Sequence, residues 1–70
     1  MTKKYKVVEP DYTVFGIAVG DIVEAVPENE YNEHMHNILD TFGRKTPQVI
    51  VYNRTGDQQS IDSFCLKEIE

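Results

Sequence analysis

The sequence predicts a small, mainly β domain, α+β by content. About five short strands form a curled sheet that closes on its own core beneath one helical insert at about 29–42. Three observations predict this. The β-prone runs 21–26 and 48–53 carry apolar residues at successive positions, so each is apolar on both faces and needs cover on both. Between them the apolar period changes: Tyr31, Met35, Ile38, Leu39 and Phe42 fall at i, i+4, i+7, i+8 and i+11, on one helical stripe. Finally, 70 residues with 40% hydrophobic and 27% charged types make one folded domain over 1–70, too small for a large cofactor cavity.

Each element has its own local reason. Tyr5–Val8 is a β-prone run stopped by Glu9-Pro10-Asp11, because proline cannot donate to a ladder. Residues 12–18 read as a loop or short strand broken by Gly16, with a turn at Val19-Gly20-Asp21. The strand 21–26 follows, closed by Pro27, with Val23 and Ala25 on one face and Ile22 and Val26 on the other. Asn29 is placed to cap the helix, Glu30 and Glu33 suit its first turn, and Gly43 with Arg44-Lys45 suits its end. In the strand 48–53, Val49 and Val51 oppose Ile50 and Tyr52. A turn at 53–57 uses Gly56 and leads to a return strand at 59–62. Ser63–Leu66 reads as a short helical turn and Lys67–Ile69 as a closing strand. The run near 5–8 or that at 59–62 is expected to be an open edge.

The order of these signals carries a resemblance. A Gly20-Asp21 turn leads into Ile22-Val23-Glu24-Ala25-Val26. Val49-Ile50-Val51-Tyr52 turns through Gly56-Asp57 to Ile61, and the chain closes on Leu66-Lys67-Glu68-Ile69. This looks like the SH3-like small β-barrels, including stand-alone versions encoded by bacteria and their phages, over about 12–27 and 48–69. The resemblance implies a barrel architecture. SH3 domains that bind proline-rich peptides carry an aromatic-rich motif and a Trp-Trp pair. This chain has no tryptophan, and Gln48-Val49 or Val49-Ile50 stands where that pair is expected, so the resemblance carries the architecture alone.

Charge bounds the partners. The net charge of −5 is unevenly spread. Residues 1–8 carry +3, residues 9–43 carry −8 without a single Lys or Arg, residues 44–56 carry +3, and the tail carries −3. Phosphate binding needs clustered cations that release counterions, so direct nucleic-acid binding is disfavoured. No apolar run approaches the ~20 residues that span a bilayer. Lys3 and Lys4 lack an apolar region behind them, because Glu9, Pro10 and Asp11 interrupt; no secretory signal is expected. The lone Cys65 makes no intrachain disulfide, in keeping with a reducing, cytoplasmic setting.

Few residues offer chemistry. On a helix His34 and His36 point about 200° apart and cannot share an ion. Glu30 with His34, or Glu33 with His36 and Asp40, has helical ligand spacing, but paired surface histidines and carboxylates are the commoner arrangement, and no metal or cofactor is expected. Cys65, between Phe64 and Leu66, has no base nearby and reads as a buried structural residue. Phosphate-loop, dinucleotide, nucleophile-elbow, zincin and C-x-x-C motifs are all missing, so no catalytic residue is assigned and the chain is read as a non-enzyme. Tyr12 is expected to be exposed.

The leading reading is therefore a non-catalytic interaction module that binds a protein partner, one with a basic surface, through loops and an acidic face. Its candidate contact residues are Asp11, Tyr12, Glu24, Glu28, Glu30 and Glu33. Three alternatives stay open. One is an acidic DNA mimic that inhibits a nucleic-acid-binding protein. Another is a weak nucleic-acid-binding barrel using Lys3, Lys4, Lys6, Arg44, Lys45 and Arg54. The last is a small hydrolase or metal enzyme.

Overall fold

The chain alternates short apolar runs with glycine and proline punctuation, and the computed structural model resolves these into five strands and one α-helix among the described residues, 3–12 and 14–69. Met1, Thr2, Thr13 and Glu70, which enter the charge count, the leader reading or the 12–18 segment, lie outside them. β1 is Lys4–Val7, β2 Ile22–Glu24, β3 Gln48–Tyr52, β4 Gln58–Asp62 and β5 Leu66–Ile69. The helix α1 is Glu33–Thr41, between 3-10 turns at Glu28–Glu30 and Phe42–Arg44; a third 3-10 turn, Ser63–Cys65, precedes β5. No described helix is long and apolar enough to cross a membrane.

Two antiparallel sheets result, β2-β1-β5 and β3-β4. β1 is central in the first, with Tyr5 opposite both Val23 and Glu68. Of the two runs named as possible open edges, 5–8 is not one, because β5 returns from the far end of the chain to pair with β1, whereas 59–62 lies in β4, which has one ladder partner among the described residues. An isolated bridge, Ala25↔Val51, links the sheets, and Val26 donates to the Ile50 carbonyl at 2.9 Å. The strand expected at 21–26 thus changes partner: its first half pairs with β1 and its end touches β3.

The two apolar faces of β3 receive two separate covers, as its successive hydrophobics require. Val51 joins Val7, Val23, Ile61 and Cys65 in one buried cluster. Ile50 joins Val26 and Met35 in the other, beneath Tyr31, Ile38, Leu39 and Tyr52. The helix is laid over the second face.

Its limits differ from the sequence reading. Asn32 caps α1, its Oδ1 accepting from Met35 N at 2.8 Å, whereas Asn29 lies inside the preceding 3-10 turn. Pro27 opens that turn, which holds the chain back from the α-helix for three residues more than expected. Gly43 is not a left-handed cap, for the chain continues through it into a 3-10 turn. Phe42 leaves the stripe as well, 62% exposed rather than buried.

The two ends of the β1–β2 connection are tied together. Val7 N donates to the Asp21 carbonyl and Gly20 N to the Val7 carbonyl, at 2.9 and 2.8 Å. Gly16, at φ +75°, passes so close to Asn53 that a Cβ there would stand 2.9 Å from Asn53 Nδ2. Only glycine meets both demands.

Candidate functional site

A cleft of about 630 Å³ lies between α1 and β4. Its floor is polar because β4 is the polar strand: Gln58, Gln59, Ser60 and Asp62 line it, with Gln48 of β3 beside them. One wall is the helix, through Met35, Ile38 and the exposed ring of Phe42. Asp11, from the long loop, and Asp57, from the β3–β4 turn, stand at its margins.

Hydrogen bonds fix most of the floor. Gln58 ties the helix entry to β4: its Oε1 accepts from Asn32 N at 2.9 Å and its Nε2 donates to the Glu30 carbonyl at 2.7 Å. Ser60 Oγ donates to Gln48 Oε1 at 2.9 Å, and Gln48 Nε2 donates to Asp62 Oδ1. Asp62 N donates to Asp11 Oδ2 at 3.3 Å. Three carboxylates line the cleft, at Asp11, Asp57 and Asp62, and no Lys or Arg does. Among the described residues the ion pairs lie elsewhere, at Lys3–Glu68 and Arg54–Asp21.

Asp11, Asp62 and Cys65 bring one ligand atom each within 4.8 Å of one another, the only such trio among the described residues. Protein groups already occupy it: Asp62 N sits on Asp11, and the amide of Gln48 sits on Asp62. Cys65 is buried, and burial pushes its thiol above the usual range, with Asp11, Asp62 and Glu9 pushing the same way. A thiol held protonated is a poor nucleophile. His34 and His36 do not join this trio; His34 lines the cleft, and the His36 ring meets Tyr31 edge-on at 5.7 Å.

The six candidate contact residues are not gathered at one place. Asp11 is half-buried and belongs to the cleft. Tyr12, 93% exposed as expected, lies with Asp11 at a smaller hollow inside the long loop. Glu24 borders a different hollow, beside Asp21 and Arg54. Glu28, Glu30 and Glu33 are exposed around the helix entry, where the Glu30 carbonyl accepts from the cleft residue Gln58. Asp57, Gln58, Ser60 and Asp62 were not singled out from sequence. Their signal was present, since 57–62 is polar apart from Ile61, on a strand with one face to the core.

Comparison of the chain with protein-family models, with curated proteins and with solved structures finds no match.

Proposed function

We propose that the chain is a small SH3-like barrel acting as a non-catalytic interaction module, and that it binds a basic segment of a partner protein in the α1–β4 cleft. The architectural part is supported by the strand order, β5-β1-β2 continuing through the Ala25↔Val51 bridge to β3-β4. The functional part is carried by one observation: the α1–β4 cleft is lined by three carboxylates and an apolar wall, with no Lys or Arg among its lining residues. A phosphate backbone would meet repulsion there, whereas Lys and Arg side chains would find counter-charge and a surface for their aliphatic stems.

The test is an NMR titration of the isotope-labelled chain with an unstructured Lys/Arg-rich peptide. Shifts should concentrate at Asp57–Asp62 and on α1. Binding should weaken by about tenfold or more as screening rises from 0.05 to 0.5 M salt. A polyglutamate peptide that binds equally well, or no shift at millimolar basic peptide, would overturn the reading.

A further inference from the structure

We propose that the cleft takes its ligand as an added β-strand: an extended, lysine- or arginine-bearing segment of a partner protein pairs with the outer edge of β4. This rests on the reading above that the cleft binds a basic segment, and it specifies how.

Among the described residues β4 has one ladder partner, β3. The ladder alternates, so its flanking bonds reveal which groups point outward. Asn53 N donates to the Asp57 carbonyl at 2.9 Å, and Ser63 N donates to the Pro47 carbonyl at 3.0 Å. Both pairs continue the register that sets Gln48 opposite Asp62 and Tyr52 opposite Gln58. Counting inward by twos, Gln59 and Ile61 bond to β3, while Gln58, Ser60 and Asp62 turn their N–H and C=O groups away from it. Asp62 bears this out, since its N–H reaches across to Asp11 Oδ2. No described backbone group outside the ladder meets the N–H or C=O of Gln58 or Ser60.

An edge with such groups is a template for another strand, and proteins usually blunt it with Lys, Pro or a bulge. β4 carries none of these; the loop before β2 takes its Asp62 N–H through Asp11 and reaches the Gln59 side chain through Phe15 N, so the outward groups left for a partner strand are those of Gln58 and Ser60. Its edge borders the cleft, beside the apolar wall of Ile38 and Phe42. A strand laid there sends alternate side chains to opposite faces, one set against that wall. The lining carboxylates select cations for the partner. They also disfavour a second copy of this chain, whose net charge is −5.

The probe is an alternating lysine–valine octapeptide and its counterpart N-methylated at every second amide, which keeps charge and side chains but cannot complete a ladder. The unmodified peptide should slow hydrogen exchange at the Gln58 and Ser60 amides, and the methylated one should bind about tenfold or more weakly. Equal affinity for the two peptides, or protection confined to β5, would overturn strand pairing while leaving the basic-segment reading in place. No binding of either peptide at low salt would remove both.

Discussion

Asn53 is buried, and its side chain satisfies groups from two distant parts of the chain. Nδ2 donates to the Phe15 carbonyl at 2.8 Å, while Oδ1 accepts from Thr55 N, Thr55 Oγ1 and Asp57 N. The local half of this was legible, since Asn before a glycine turn is a common side-chain-to-backbone device. The reach to Phe15, 38 positions away, has no local signature. Asp21 shows the same division. Its place in a Gly-Asp turn was readable; its pairing with Arg54 was not. Arg54 donates to both Asp21 oxygens, at 2.8 and 3.1 Å, and Ala18 N adds a third bond at 2.9 Å. The Arg54 bonds first and the Ala18 amide second hold the Asp21 carboxyl below the usual range, with burial opposing them slightly. The folded chain therefore binds that proton more weakly than the unfolded chain, whose aspartate titrates near 4. The resulting stability is present above about pH 5 and is lost as pH falls through the depressed folded value. Asp21→Asn should be less stable than the parent by about 1 kcal/mol at pH 7, with the gap narrowing steadily toward pH 3. Urea unfolding at several pH values measures it, and a gap constant with pH would assign the loss to something other than this charge.

At the scale of elements, α1 separates what periodicity can say from what it cannot. The apolar stripe fixed the existence of the helix and the face it buries: Met35 joins Ile50 and Val26 in one cluster, and Ile38 and Leu39 pack against it. The start was misplaced because Asn29 and Asn32 are equally good caps on paper. The choice is made by Gln58, whose amide grips the Glu30 carbonyl and the Asn32 amide from another strand and holds the extended backbone of Tyr31 between them. An isolated helix of nine residues has little stability of its own, so such tertiary contacts decide its bounds. Asn32→Ala should cost about 1 kcal/mol and Asn29→Ala no more than about half of that. Equal losses in thermal or urea unfolding would show that the cap lies elsewhere. The cleft wall follows from the same helix end: Phe42 belongs to the sequence stripe, but the backbone tightens into a 3-10 turn there and its ring is left exposed.

For the whole molecule, linear clustering and spatial clustering part company. The acidic block of 9–43 looked like one face because its eight carboxylates are neighbours in sequence. Folding disperses them: Asp21 is paired with Arg54, Asp11 lines the main cleft, and Glu24 borders another hollow. Asp57 and Asp62, counted only as part of the tail, join Asp11 instead. Turns and strand faces are local and were readable, whereas the helix caps, the return of β5 onto β1 and the meeting of the 8–21 loop with β4 depend on contacts between residues far apart in sequence. Those long-range contacts also set how the molecule unfolds. The two buried clusters lie on opposite faces of one strand, Val51 serving one and Ile50 the other. Neither can melt and leave β3 in place, so α1 should not open independently of the sheets. Ile61→Val removes a methylene from the cluster remote from the helix and should cost about 1 kcal/mol. If the clusters form one cooperative unit, hydrogen exchange will show that same loss at the most protected amides of α1 as well as in β4. Protection in α1 that is untouched by the substitution would mean that the helix opens by itself, and that the cleft it walls is built from a separately stable element.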